Sequence, residues 1–522
     1  MKAGSTGRWS AAFAAAGVWA GAAVAQTPPV ASDSDVALEE VVVTGTLVRG
    51  VAPTGSAVAT LGQADIEQLG ATQTNQILTS IPQLSSSFNL VPNVPTAAQG
   101  RSTYRPSLRG LPALGNGTTL ILVDGHNIVG ASMQQSSPDI GALPVGAIER
   151  VEVVLDGGSA TYGSDAVAGT LNFITRTHYQ GVEVSGDYGG AGAHHRNGAI
   201  NITAGHDWSG GGLVAAASWR NQTAMPNGDL PLPRQDLTPF GLSDFRVNNA
   251  CSPGNVTAGA GATAKIYPLP SLSATAAPNV CDTLLKGVTT PNEYQTSGFV
   301  SISQAFGDNL DFVVKAYGAD RVTRTPQQQL TSAARITNTN PYFIALANTA
   351  GVLQTAETVS FAWETVLGPQ SFSQVKLDQF DVSPQLTWKL GHDWRVNFLG
   401  DLGWSKTTQD TAALNATALT AALAGTTAAT AFNPYNPTAT NATVLQGITN
   451  WGTHGWNVQR IATLRAVADG PLASLPGGDL RAAGGLQFQR KAVTGFSYTG
   501  VPGGTVGAVT DDLSRNVSSL FA

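Results

Sequence analysis

Few residues of this chain stand at spacings that could support covalent chemistry. No His-Glu-x-x-His, no Gly-x-Ser-x-Gly and no Gly-rich dinucleotide fingerprint occurs in its 522 residues. His194, His195 and Arg196 are adjacent, yet no third ligand follows at a readable spacing, so they read as a polar turn. Gly157, Gly158, Gly163 and Gly169 lack the following Lys-Ser/Thr of a phosphate cradle and read as turn and packing glycines. The sequence predicts no catalytic residue, no bound cofactor and no metal: not an enzyme.

Noncovalent chemistry is better represented. Residues 39–45 read EEVVVTG, where Val41, Val42, Val43 and Thr44 favour extended backbone with no hairpin partner nearby. The segment is either a first strand of its own domain or a strand offered to another chain. Cys251 and Cys281 are the only cysteines and lie in a Gly/Pro/Ala/Thr-rich region. Export would favour a disulfide there over two free thiols. Residues 411–459 carry no Asp, Glu, Lys or Arg but include Phe432, Tyr435, Trp451 and Trp456. Flat aromatics among Asn and Thr suit an uncharged ligand such as a sugar, or form an inert loop with interfacial aromatics.

The elements that must position these residues follow from composition and periodicity. Only 12% of residues are charged, 59 are Gly, and the net charge is −6 without a basic stripe, which argues against nucleic acid. Residues 1–25 read as a signal peptide, with Lys2 and Arg8 before an apolar stretch and Ala23-Val24-Ala25 before the cleavage site. No later run is long and apolar enough for a transmembrane helix. Residues 26–58 form an N-terminal segment, and 59–177 a mixed α/β unit.

From 178 to 522 the pattern becomes long alternating strands. Phe380, Val382, Pro384, Leu386, Trp388 and Leu390 share one face of QFDVSPQLTWKL. Trp394, Val396, Phe398, Gly400, Leu402 and Trp404 share one face of the next strand. Strands of about 11 residues with aromatics at both ends of a hairpin fit a transmembrane β-barrel. Pro384 counts mildly against it, because proline removes a ladder donor. Short turns alternate with long connections near 221–294, 326–370 and 406–455, as tight periplasmic turns alternate with external loops. The fold class is mainly β: an α/β plug followed by antiparallel transmembrane barrel strands.

Three stretches now resemble one family, the TonB-dependent outer-membrane receptors. EEVVVTG is similar to the coupling motif, the TonB box. SLRGLPALGNGTTLILVDGHNIVG resembles the plug's Arg-Gly turn and following strand. AIERVEVVLDGGSATYGSDAVAGTLNFITR resembles the plug signature almost throughout. The resemblance implies that Glu39, Glu40, Val41, Val42, Val43, Thr44 and Gly45 pair with TonB by strand addition, coupling the chain to the inner-membrane energising complex. It places Arg109 and Arg150 where the family sets plug arginines against barrel glutamates; pairing within the plug is the alternative. It further implies an outer-membrane location, a lipid surround, and active transport of a small-molecule or oligosaccharide ligand of the ferric siderophore, cobalamin or glycan class. An exported β-rich adhesin or a passive porin is the rival. Family members close about twenty-two strands around such a plug, whereas about nine alternating segments and the start of a tenth are readable here. The barrel is therefore expected to be incomplete in this chain.

Overall fold

The computed structural model describes residue 44 and residues 58–84, 104, 106–110, 118–133, 137–155, 162–192, 194–232, 234–476, 478–504 and 509–522. The expectations placed on 1–25, on Glu39, Glu40, Val41, Val42, Val43 and Gly45, and on Gly157 and Gly158 lie outside these residues.

In the plug, the apolar run Thr119–Val123 is buried at every position. A strand covered on both faces needs such a run. It lies parallel to Gly169–Thr175, which pairs antiparallel with Ile148–Val154, which pairs in turn with Val58–Leu61. Asp124 and Gly125, both at positive φ, turn the chain into the short strand His126–Asn127. Two short helices, Gln63–Gln68 and Thr74–Leu78, cover the sheet with Ile66, Ile77 and Leu78, all buried. Gly169, at φ 128°, runs so close to its neighbour that a Cβ would lie 2.5 Å from the Val154 carbonyl oxygen.

Ten strands follow as a single antiparallel meander. They are β1 (Gly181–Ala191), β2 (His195–Trp208), β3 (Gly211–Gln222), β4 (Asn292–Phe306), β5 (Leu310–Gln328), β6 (Gln370–Lys389), β7 (Arg395–Ala413), β8 (Trp451–Leu475), β9 (Gly478–Gly500) and β10 (Val509–Phe521). Along β7 the odd positions Asp401, Ser405, Thr407, Gln409 and Thr411 are buried against the plug. Phe398 and Leu402 on the other face are exposed, as are Leu464, Leu486 and Phe488 on β8 and β9. The period-two pattern has put polar side chains inside and apolar ones outside, the arrangement of a wall facing lipid.

Two expectations need correction. The strands run to 20 residues in β6, 19 in β7 and 25 in β8, well beyond one crossing. The ladder continues past the aromatic girdle because the alternation persists there with polar outward residues. Accordingly the last long connection is 414–450, and Trp451 and Trp456 belong to β8. Pro384 sits within β6, where the ladder to β7 lapses between Val382 and Gln385, opposite Gly400.

The long connections are not loose. Asn255–Ala258, Lys265–Pro268, Thr331–Thr337 and Ala356–Ala362 form a four-stranded sheet joining two of them. Helices Ala416–Leu423 and Ala442–Thr449 of the third cover it. Val256, Ile336, Val359, Trp363, Phe432 and Ile448 are fully buried between them, a core separate from the plug's. Cys251 and Cys281 are disulfide-bonded at the margin of this cap.

Candidate functional site

Thr44 of EEVVVTG is buried against the plug sheet. Its N–H donates to Glu152 Oε2 at 2.8 Å, and its hydroxyl donates to the same oxygen. Asn172 Nδ2 donates to the Thr44 hydroxyl at 2.8 Å. Glu152 and Asn172 sit opposite each other on Ile148–Val154 and Gly169–Thr175, so strand register sets the two jaws of this clip. Arg150 Nε holds the other Glu152 oxygen at 2.9 Å, and Arg150 Nη1 reaches Glu149 at 2.6 Å. Side chains of the plug sheet thus hold Thr44. Hydrogen bonds to a charged group contribute about 1.5–3 kcal/mol each, so a few such contacts can yield without unfolding a sheet.

Arg150 thus pairs with two plug glutamates, the second of the readings open for it. Its ladder neighbours explain why: Glu152 lies two residues along the same strand, on the same face. Arg109 is exposed, at a left-handed φ of 60° within Leu108–Gly110.

Two buried ion pairs between plug and wall, Arg321–Asp139 and Lys315–Asp124, put the cation on the wall, and sequence reasoning missed them. Arg321 of β5 pairs with plug Asp139, both almost fully buried, and its guanidinium lies 5.0 Å from the Tyr104 ring centroid. Arg220 of β3 meets Glu293 of β4 at 2.8 Å, and the two share the Tyr104 hydroxyl, at 3.0 and 2.9 Å. Burial first, then the Glu293 carboxylate, holds the Tyr104 phenol well above its ordinary range. Lys315 of β5 reaches Asp124 at 3.1 Å and donates to the Thr175 carbonyl at 3.0 Å. The one signal available was inward parity: Lys315 and Arg321 fall on the lumen face of β5 with Tyr317.

Neutral contacts complete the seat. Ser405 Oγ donates to the Gly130 carbonyl at 2.5 Å, and the Ser132 N–H donates to Thr407 Oγ1 at 3.0 Å. Asn457 and Gln459 donate to the carbonyls of Met133 and Ser132, at 3.0 and 3.2 Å. At Gly146 the plug comes so near Thr203 that any side chain would collide with its hydroxyl. Buried charge pairs of this kind are a weak source of net stability, while removal of one partner is costly.

The four aromatics of 411–459 do not converge. Phe432 is fully buried, stacked 5.2 Å from Trp363. Tyr435 donates to Glu357 Oε2 at 3.1 Å inside the cap. Trp456 stacks on Phe496, and Trp451 begins β8. Phe432 and Trp456 stack on rings from other segments, Trp363 and Phe496, which removes apolar surface from water.

Residues 51–170 match the family described as the TonB-dependent Receptor Plug Domain. Among solved structures, the chain is similar to the ferric yersiniabactin uptake receptor FyuA from Yersinia pestis, at 12% identity over 90% of this chain and 61% of that one, with a TM-score of 0.44. It is similar to the ferripyoverdine receptor of the outer membrane of Pseudomonas aeruginosa, at 10% identity, 91% and 52% coverage and a TM-score of 0.47. It is also similar to the ferric citrate transporter FecA, at 11% identity, 88% and 59% coverage and a TM-score of 0.41. The chain thus spans 52–61% of the length of these structures. At such scores the likeness carries no weight beside the family match and the strands themselves.

Proposed function

We propose that this chain, a TonB-dependent outer-membrane receptor by its plug domain and barrel-type sheet, takes part in active uptake of a scarce ligand. The reading rests on one observation above all: Thr44, in the segment that resembles a TonB box, is tied to Glu152 and Asn172 of the plug sheet through their side chains. A segment held that way can be exchanged to a periplasmic partner strand, whose main-chain ladder then carries force. The plug sits on the polar face of the wall, so pulling on it opens a path without breaking the sheet. The outer membrane, its lipid and the TonB complex are the proposed surroundings and partners. The ligand belongs to the ferric siderophore, cobalamin or glycan class, with the aromatics of 411–459 now giving no preference for sugar.

Uptake of labelled candidate ligands by cells with and without the inner-membrane motor tests this. Loss of uptake without the motor, with surface binding retained, is the expected result. Uptake that persists in motor-null cells would point to a passive porin and overturn the reading.

A further inference from the structure

Two carboxylates on the inner face of the wall have no counter-charge among the described residues. Asp381 of β6 and Asp401 of β7 are 3% and 1% exposed. Asp381 lies opposite Gly403, and the β6–β7 ladder lapses just beyond, between Val382 and Gln385, beside Asp401. A break in pairing re-aims side chains, and here the two carboxyl groups meet on the lumen side. Gly403 makes room for the first of them, since a Cβ there would lie 2.6 Å from Asp381 Oδ2 and 2.9 Å from Val129 of the plug. Asp381 Oδ2 and both Asp401 oxygens are buried without a hydrogen-bond partner among the described residues. Tyr317 of β5 pairs directly with Asp381 in the ladder, and its phenol faces Asp381, Asp401 and the Gln379 amide. Gln379 is itself 3% exposed, and neither its amide oxygen nor its nitrogen has a hydrogen-bond partner among the described residues. The nearby cations are engaged elsewhere: Lys315 with Asp124, Arg321 with Asp139, and Arg465 over the Phe521 ring.

We infer that Asp381, Asp401, Gln379 and Tyr317 bind a divalent cation of the calcium class on the inner face of the wall, beneath the plug. Charge fixes the valence. Two carboxylates taken out of water need an ion that offsets both, and a monovalent ion leaves a buried negative charge. Ligand type fixes the class. Carboxylate, amide and phenol oxygens are hard ligands, and among the described residues no three His, Cys, Asp or Glu side chains converge as a transition-metal site would use. Calcium tolerates the irregular shell offered at a ladder break, whereas magnesium demands near-ideal octahedral geometry and sheds water reluctantly. With both carboxylates bidentate, the four side chains supply about six oxygens, the lower end of calcium's range. No spacing in the sequence reports this site, because its ligands come from three strands. The ion stiffens the part of the wall on which Val129 rests, close to the Lys315–Asp124 pair.

The inference goes beyond uptake and does not rest on it. The 522-residue chain, folded in nonionic detergent, is stripped with chelator and titrated at constant ionic strength with calcium, magnesium or sodium chloride. Metal retained after gel filtration is counted by mass spectrometry, and hydrogen exchange is followed in 377–383 and 399–405. About one calcium per chain and slower exchange in both segments are expected, with magnesium and sodium ineffective at the same concentration. Asp381→Asn and Asp401→Asn should each abolish retention. Both keep the side chain's shape and remove a buried charge, so stability in chelator should not fall, which separates lost binding from lost folding. Gln379→Leu keeps both carboxylates and should weaken calcium about tenfold. No retained calcium, or retention undiminished in both Asn variants, overturns the site; the second result places the ion elsewhere on the chain. Equal protection by sodium overturns the divalent assignment, and unchanged affinity in Gln379→Leu removes the amide from the shell. Asn variants that are more stable than the wild type, with calcium without effect on any of them, would give the pair a shared proton in place of a metal.

Discussion

In the proposed coupling, Glu152 is the residue that holds Thr44 to the plug and must let it go. Both of its carboxylate oxygens are engaged, one by Thr44 and the other by Arg150. Glu152→Ala removes the acceptor for two Thr44 donors, and at about 1.5–3 kcal/mol per charge-assisted bond the segment should detach for most of the time. A spin label at Val43→Cys should then report greater mobility than in the chain with Glu152 intact, and an unchanged spectrum would show that the Glu152 contact does not hold the segment. Val42→Pro probes the opposite step. Proline deletes a ladder donor and blocks strand addition, so uptake should be abolished while ligand binding at the cell surface survives. Normal transport by that variant would remove residues 39–45 from the coupling role. Thr44 could be singled out in the sequence through its motif; Glu152 could not, because a clip between two residues so far apart in the chain leaves no spacing to read.

At the scale of elements, the external cap behaves as a small domain built from three connections. Phe432→Ala should destabilise it by about 3–5 kcal/mol, the usual cost of deleting a buried aromatic ring. Hydrogen exchange should rise together in 255–268, 331–362 and 416–449; a rise confined to the last would mean the connections are independent. The Glu357 carboxylate accepts from the Leu346 N–H at 2.6 Å and from Tyr435. Burial raises its pKa above the ordinary 4.5, outweighing these two hydrogen bonds, which lower it. A raised carboxyl pKa means the folded cap holds its proton longer than the unfolded chain does. Its contribution is therefore greatest below the ordinary value and declines as pH rises through the raised one. Asp236 and Asp244 are shifted downward, chiefly by hydrogen bonds from Thr238 and Arg246, and act in the opposite sense. The discriminating measurement is the difference in cap stability between the wild type and Glu357→Gln from about pH 4 to pH 8. A pH-independent difference would clear Glu357 of the effect. The hairpin around Gly391 was legible because alternation and girdle aromatics coincide between Phe380 and Trp404. The cap was not, since its strands are short and pair across connections, where no local period reports the partner.

For the whole molecule, the decisive question is what keeps a globular plug on the inner face of a sheet. Val214, Ala216, Phe299 and Tyr317 of the wall pack into the plug's apolar core, and buried polar pairs lie beside that contact. Sequence resemblance assigned the cations to the plug at Arg109 and Arg150. The structure also buries Arg220 and Arg321 on the wall, facing Tyr104 and Asp139 of the plug. These pairs add wall residues to those whose loss should matter. Asp139→Ala leaves the Arg321 guanidinium buried without its carboxylate, a change expected to cost about 3–5 kcal/mol. Arg321→Ala leaves Asp139 in the same position. The double variant, with both charges gone, should recover a large part of that loss, because an absent pair needs no solvation. Hydrogen exchange of Thr119–Val123, buried at every position in the plug sheet, reports seating without depending on transport. Strict additivity of the two single changes, read as that exchange or as leak of a small dye through the outer membrane, would show that the pair does not couple plug to wall. Non-additivity with the double variant close to wild type would assign to this buried pair a share of the plug's orientation, beside the apolar contact of the plug with Val214, Ala216, Phe299 and Tyr317.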